Sequence, residues 1–453
     1  MNLGSQFSVR QEQRKGYPDS LPSVSIIIVN YNGLAYLKDC LDSIYALAYP
    51  QDLIEIILVD NASTDGSVAF VRERYPKVRI IQNERNLGFA EPNNIGARQA
   101  KGEFIALLNN DMRVAPDWLT ELAKPALAST DVACIGSKIL DWSGKYIDFA
   151  GGVLNFHGHG GQIGFGELNV PETENREILF ACGGAMLVKR DVFLDIGGFD
   201  GDFFAYYEDV DFGWRLWILG YRVLYALKSV AYHRRHGTAK GFPHEKRLTL
   251  FEKNALSMVI KNYDDENLQR ILPAALLLAV KRAFIYSGLD RKDYLFNADQ
   301  SQQDSHDYSP VEPKQPMSHR IRYYSRAATR IIRHRGLFKG LREICARARE
   351  HIVATGAPVP QFSGHATTMV PKFGLSPIVA ISEIMDDLPV LLEKRQRIQA
   401  QRRRSDAEIL PLFLEPERLP YLDLVDRPSY HRAVETVQRY FHILDIFRIP
   451  GRV

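Results

Sequence analysis

At 453 residues, with 45% hydrophobic, 25% charged and 11% aromatic side chains, the chain has the makeup of an ordinary globular protein of about two or three domains. That excludes a collagen-like, coiled-coil or wholly disordered chain. A net formal charge of only +3 also excludes a general polyanion binder, so any basic function is local.

Residues 1–22 are polar, lack the apolar core of a signal peptide and are expected to form a flexible tail. From Val24 to about Gly237, short β-branched runs alternate with stretches of helical period. The runs are Val24 to Asn30, Ile54 to Val59, Val78 to Ile81, Glu103 to Leu108 and Val132 to Ile135. The helical stretches are Leu34 to Leu47, Ser67 to Tyr75, Ala90 to Ala100 and Trp118 to Leu127. Apolar runs separated by amphipathic segments predict a doubly wound, mostly parallel α/β sheet covered on both faces. Such sheets bind ligands beyond the carboxyl ends of their strands.

Polar residues stand at those ends. The first run ends in Asn30, Tyr31, Asn32 and Gly33, the second in Asp60, Asn61, Ala62, Ser63, Thr64 and Asp65. An Asp in that position accepts hydrogen bonds from a pyrimidine imide or sugar hydroxyls, although Asn, Asp and Gly equally suit any strand-to-helix turn. Arg85 and Asn86 precede a helix whose free N–H groups suit a phosphate, and Asn86 suits a cap as well. The fourth run delivers Asn109, Asn110 and Asp111, oxygen donors for a hard divalent cation or, again, a turn. Further on, Glu208, Asp209 and Asp211 open an amphipathic helix beside Tyr206, Tyr207, Phe212 and Trp214. Acids at a helix start are favourable in themselves, yet three of them against aromatic walls resemble the setting of a general base. His233 follows a predicted strand and offers a nitrogen ligand to the same cation, with His236 as its competitor.

The second half reads as helical. Leu248 to Val280 has helical spacing, and its apolar core, Ile271 to Val280, is about half the length needed to cross a bilayer. A polar linker, 289–317, leads into a basic helical region, 318–453. Ser318 to Ile352 carries nine Arg and one Lys against two Glu, interleaved with Tyr323, Ile331, Ile332, Leu337, Phe338, Leu341 and Ile344. Lys394, Arg395, Arg397, Arg402, Arg403 and Arg404 add a second cluster. Such stretches suit an anionic membrane surface or packing against the rest of the protein, whereas nucleic-acid binding is not expected. Cys40, Cys134, Cys182 and Cys345 lie scattered without metal-site spacing, which fits a reducing, cytoplasmic setting.

In order along the chain, Val24–Asn32, Val59–Asp65, Asn86–Ala90, Leu107–Asp111, Cys182–Val188 and Tyr207–Asp211, with Trp214 and His233 after them, resemble family 2 glycosyltransferases of the GT-A fold. The likeness is to the non-processive group that includes bacterial rhamnosyltransferases and galactofuranosyltransferases. It spans about Ser23 to Tyr263 and implies a catalytic domain over 23–240 with a helical extension at 241–288. By position, it puts Asn30, Tyr31, Asn32, Asp60, Asn61, Arg85, Asn86, Gly88 and Asn110 around the nucleotide, and Asp111 and His233 on Mg²⁺ or Mn²⁺. It makes Asp209 the base and sets Gly183, Gly184, Glu208 and Trp214 near the acceptor. The implied reaction is inverting transfer of one sugar from a nucleotide-diphosphate sugar to a lipid-linked or cell-envelope glycan at the inner membrane face. Asn109 departs from the fuller Asp-x-Asp pattern, so a catalytically silent nucleotide-sugar-binding or scaffold protein is the alternative. A nucleotidyltransferase is disfavoured because no glycine-rich phosphate loop follows the first strand.

Overall fold

The computed structural model describes residues 21–234, 243–289, 370–413 and 428–447. Its strands are β1 (Val24–Asn30), β2 (Ile54–Asp60), β3 (Arg79–Gln82), β4 (Phe104–Leu108), β5 (Met112–Val114), β6 (Val132–Asp141), β7 (Ile147–Phe149), β8 (Gly152–Leu154), β9 (Gly160–Gln162), β10 (Arg176–Glu177), β11 (Ala185–Lys189) and β12 (Arg222–His233). Its helices are α1 (Leu34–Tyr45), α2 (Ser67–Arg74), α3 (Ala90–Gln99), α4 (Trp118–Ala128), α5 (Arg190–Asp195), α6 (Glu208–Ile218), α7 (His244–Asn262), α8 (Asp265–Ser287), α9 (Ser376–Ala400), α10 (Asp406–Ile409), α11 (Pro428–Tyr440) and α12 (Ile443–Phe447).

The main sheet runs β10-β12-β6-β11-β4-β1-β2-β3, with β5 pairing β12 and β7 pairing β6. β1 pairs in parallel with both β2 and β4, and β2 with β3, as the apolar runs predict. Ile26, Ile27, Ile28, Ile57, Leu58, Val59, Ile105, Ala106 and Leu107 are fully buried, the pattern of strands covered on both faces. β11 is the departure. It lies antiparallel between β4 and β6, so Cys182, Gly183 and Gly184, just before it, sit beside the carboxyl end of β4.

β6 extends six residues past the expected end of its apolar run, and the segment after it holds β7 and the β8–β9 hairpin. Among strands of two or three residues no period can develop, so this insertion has no sequence signature. β12 is bent by a register shift between Ala226 and Val230, which lets one strand pair in parallel with β6 and antiparallel with β5. Beyond the bend it brings His233 opposite Met112, directly after Asp111.

Met1–Gly288 and Lys372–Val453 form one compact unit and Leu289–Pro371 a second. The Arg-rich stretch from Ser318 to Ile352 and the linker before it lie outside the described residues, as does His236. The expected 318–453 region therefore divides at Lys372. In the described part, the second basic cluster proves largely structural. Arg395 is buried and donates to the carbonyls of Ile260 and Tyr263 at 2.7 and 2.5 Å. Arg402 reaches Asp406 and the Asn262 carbonyl, Arg404 the carbonyls of Gly220 and Tyr221, and Lys394 pairs with Asp200 and Asp202. Those four cations are engaged in packing α9 and the chain after it onto the sheet unit, whereas Arg397, paired with Glu393, and Arg403 are exposed. Among the described residues, no helix is long and apolar enough to cross a membrane.

Two ion clusters join the helical layer. Lys261 on α7 sits between Asp200 and Asp211 at 2.5 and 3.0 Å, all three buried. Replacing Lys261 with Met removes the cation the two carboxylates share, leaving Asp200 to Lys394 and Asp211 to Arg215, and is expected to lower the unfolding free energy in denaturant by less than the about 3–5 kcal/mol of a wholly uncompensated buried charge. Glu252 on α7 takes two bonds from Arg282 on α8, at 2.5 and 2.6 Å, and Arg282 also donates to Tyr430 on α11. Burial raises the Glu252 carboxyl, but Arg282 outweighs it and holds the group at about 2. A depressed carboxyl adds stability that is present above the unfolded value near 4.5 and is lost as pH falls toward 2. Glu252→Gln is expected to flatten the fall in unfolding free energy over that window, and an unchanged slope would contradict the pairing.

Candidate active site

The site lies where β1, β2 and β4 end. A buried chain of side chains crosses those ends. The Asn110 amide donates to Asn30 Oδ1 at 2.8 Å, and the Asn30 amide donates to Asp60 Oδ1 at 2.9 Å and Ser63 Oγ at 3.0 Å. The Ser63 backbone N–H donates to Asp60 Oδ2 at 2.9 Å. Asn30, Asp60, Asn61 and Asn110 are all buried. Asn30 and Asn110, expected to touch a nucleotide, therefore face inward and brace the strand ends. The bracing leaves no room beside it: a Cβ on Gly33 would stand 2.1 Å from the Asn110 amide nitrogen.

Asn61 is likewise internal, donating to Asn86 Oδ1 and the Gly88 carbonyl. Asn86 Oδ1 accepts the Gly88 N–H at 2.9 Å, so it fixes the loop before α3. Gly88 itself, at φ +83°, has the Phe204 carbonyl oxygen 2.2 Å from where a Cβ would be. The outward-facing members of the expected nucleotide set are Tyr31, Asn32 and Arg85, all exposed. Asn32, at φ 50°, accepts from the Thr64 N–H and donates its own N–H to Ser63 Oγ.

After β4 the chain turns tightly. The Met112 N–H donates to the Asn109 carbonyl at 3.2 Å, and the Asn109 N–H donates to the Gly184 carbonyl at 2.9 Å. Asn109 is thus a turn residue. Asp111, at the end of the turn, is buried, and among the described residues its Oδ1 has no partner. The Arg234 N–H donates to the Asp111 carbonyl at 3.0 Å, which fixes the end of β12 against it. His233 Nε2 then lies 3.5 Å from Asp111 Oδ2, while His233 Nδ1 lies 2.6 Å from Asp148 Oδ2. Burial opposes charge on the ring, but the Asp111 and Asp148 carboxylates outweigh it and push His233 up to about 9. Asp148, on β7, is 85 residues away in sequence and has no counterpart in the six matching blocks. It leaves His233 Nε2 pointing at Asp111, the carboxylate–imidazole arrangement that orients a metal-binding histidine. An orphaned buried carboxylate oxygen beside an oriented imidazole fits a divalent cation, and Asp111 and His233 are the residues that would hold it.

On the other side of the Asn109–Gly184 bond, the Gly183 N–H donates to Asp209 Oδ2 at 2.9 Å, and the Val210 N–H to Asp209 Oδ1 at 2.8 Å. Two hydrogen bonds and one glycine pair thus connect the Asp209 carboxylate to the turn that carries Asp111. Burial raises Asp209, while the Gly183 and Val210 amides pull it back. Glu208 is buried, its Oε2 without a partner among the described residues, and burial together with the adjacent Asp209 charge pushes it well above the ordinary range. Of the two neighbours, Asp209 is the one that ionises first, because amide donors favour its anion. Trp214, expected near an acceptor, is instead a core residue, edge-on to Tyr263 and Phe413. Asp211 is also internal, bonded to Arg215 and Asn262.

The segment leading into Glu208 is strained. Phe204 has φ 54° and ψ −64°, Tyr206 φ 70° and Tyr207 φ 68°. The Ala205 N–H bonds the Phe203 carbonyl across Phe204, a γ-turn of the rare positive-φ kind. Each such residue costs on the order of 1–3 kcal/mol and persists only where its surroundings enforce it. Two surface hollows of about 490 and 580 Å³ open near the amino-terminal ends of β12 and of β1 and β2, away from these residues.

A family model described as glycosyl transferase family 2 matches residues 25–197. The O-antigen biosynthesis protein RfbC of Myxococcus xanthus is 32% identical over 241 residues, 51% of this chain and 19% of that protein. The N-acetylglucosaminyl-diphospho-decaprenol L-rhamnosyltransferase of Mycobacterium tuberculosis is 27% identical over 246 residues, 49% of this chain and 78% of that one. A solved structure of GalNAc-T7 with UDP, GalNAc and Mn²⁺ aligns with a TM-score of 0.46 and 20% identity over 63% of this chain and 54% of that one. The chain spans only about a fifth to a quarter of the length of RfbC and of a second relative, y4gI of Sinorhizobium fredii. The strand ends that carry Asp60, Asp111 and Gly183 thus lie within the matched region, and residues 25–197 of the chain are similar to the glycosyl transferase family 2 domain.

Proposed function

We propose that this protein is a glycosyltransferase that moves one sugar, with inversion, from a nucleotide-diphosphate sugar to a hydroxyl of a lipid-linked or cell-envelope glycan. The observation that carries the reading is the pairing of two opposed devices on one strand end: Asp209 beside Gly183, and the Asp111–His233 pair, joined through the Asn109–Gly184 bond. The Asp209 carboxylate takes the proton of the acceptor hydroxyl as its oxygen attacks the anomeric carbon. Burial and the Asp209 charge push the Glu208 carboxyl up, which favours its neutral form beside the reacting oxygen. Tyr31, Asn32 and Arg85 face the nucleotide, over a floor built by Asp60. Asp111 and His233 would hold Mg²⁺ or Mn²⁺, which when bound supplies positive charge to the departing diphosphate. The relatives that carry O-antigen and rhamnosyl names support an envelope glycan as acceptor.

The test is a thermal-shift screen of nucleotide sugars with and without Mn²⁺. One donor class is expected to raise the midpoint by a few degrees at about 100 times its dissociation constant, where linkage supplies about 2.7 kcal/mol. No shift with any donor under either condition would reject the reading.

A further inference from the structure

The three left-handed residues before Glu208 need something to hold them, and α7 supplies it. Asn254 is buried, and its Nδ2 lies 3.1, 3.1 and 2.7 Å from the carbonyl oxygens of Phe203, Ala205 and Tyr206. Three acceptors around one end of the amide fix which end is the NH₂, since the opposite orientation would set oxygen against oxygen. Two N–H bonds are thereby shared among three carbonyls, spanning the γ-turn at Phe204 and the first of the two left-handed tyrosines. The same turn is held from the other side: the Phe204 carbonyl accepts the Phe89 N–H at 2.5 Å, with the Ala90 N–H at 3.3 Å. The Tyr207 carbonyl then accepts the Asp211 N–H at 2.9 Å, starting α6 and setting where Asp209 projects.

We propose that Asn254 is a positioning residue for this reaction. Through its amide it clamps the strained Phe203–Tyr206 turn between α7 and the start of α3, and so fixes the carboxylate of Asp209 against Gly183. The inference rests on Asp209 acting as the base, but the clamp itself is separable from that reading. Asn254 lies beyond residues 25–197, so the domain match assigns it nothing. The physical logic is that backbone held in a costly conformation relaxes when its restraint goes, and a displacement of about 1 Å at a reacting group costs on the order of 10²-fold in rate.

The test uses the full chain with Asn254→Ala and the isosteric Asn254→Asp, which replaces the two N–H donors by a charge facing carbonyls. Hydrogen–deuterium exchange of the amides across 203–211 is expected to quicken about tenfold or more in both variants, while the β4 amides, 104–108, keep their protection. In transfer assays kcat is expected to fall about 10- to 100-fold, with the donor KM within twofold of wild type. Unchanged exchange in 203–211 would overturn the clamp, whatever the activity. Exchange that quickens equally in 104–108, or kcat loss matched by a rise in donor KM, would reduce Asn254 to a general stabilising residue and overturn the positioning role. A wild-type protein inactive toward every donor would sink the proposed function, leaving the exchange result to judge the clamp alone.

Discussion

Asp209→Asn is expected to lower kcat by about 10²- to 10⁴-fold while calorimetric donor binding stays within twofold. The substitution keeps size and shape, and its amide oxygen still accepts the Gly183 N–H that Asp209 Oδ2 takes at 2.9 Å. What disappears is the lone pair that accepts a proton at ambient pH. Because Asp209 contacts β11 and the start of α6 rather than the exposed donor-side loop of Tyr31 and Asn32, nucleotide affinity has no reason to change. Burial, which the substitution leaves in place, still holds the Glu208 carboxyl above its ordinary range, so it is a poor substitute. Weakened donor binding with transfer retained would reassign the base.

The second large effect is expected at the opposite rim. Asp111→Ala removes the orphaned carboxylate beside His233 and is expected to abolish Mn²⁺-dependent strengthening of donor binding in calorimetry. Asp148→Asn probes the same pair indirectly: it keeps a hydrogen-bond partner near His233 Nδ1 but removes the charge at 2.6 Å. Loss of a partner that orients a metal-binding histidine typically costs 10- to 100-fold in metal affinity, so Mn²⁺ titration followed by electron paramagnetic resonance is expected to weaken by about that factor. Full Mn²⁺ affinity in Asp111→Ala would place the cation elsewhere. Unaltered affinity in Asp148→Asn would leave Asp148 as a packing residue of β7.

Much of this arrangement is legible in the chain itself. Four apolar runs become β1 to β4 in the parallel order that their spacing predicts, because strands buried on both faces write continuous hydrophobic stretches. The strand-end polar residues do gather at one edge. Their roles are less legible, because Asn and Asp serve turns and ligands alike: Asn30 and Asn110 look like pocket residues in sequence yet bond to each other below the surface. Trp214 shares its helix with Asp209 but points into the core, a difference of helix face that only packing decides.

Other parts left no trace. Asp148 stands on a three-residue strand and meets a histidine at the far end of β12, 85 residues later. Asn254 is one polar residue on a long helix, and its value lies in three carbonyls about fifty positions earlier. The cluster from Lys394 to Arg404 shows how charge misleads: its count suits an anionic surface, while most of its guanidinium and ammonium groups are satisfied by backbone carbonyls and acids of the sheet unit.

A crystal structure of the protein with Mn²⁺ and the nucleoside diphosphate selected by the thermal screen would test the account most directly. The ion is expected within about 2.0–2.3 Å of an Asp111 oxygen and His233 Nε2, on the diphosphate, with Asp209 unligated and facing open space beside Gly183. An ion held by Asp209 or Glu208, or a diphosphate bound away from the ends of β1 and β4, would contradict it.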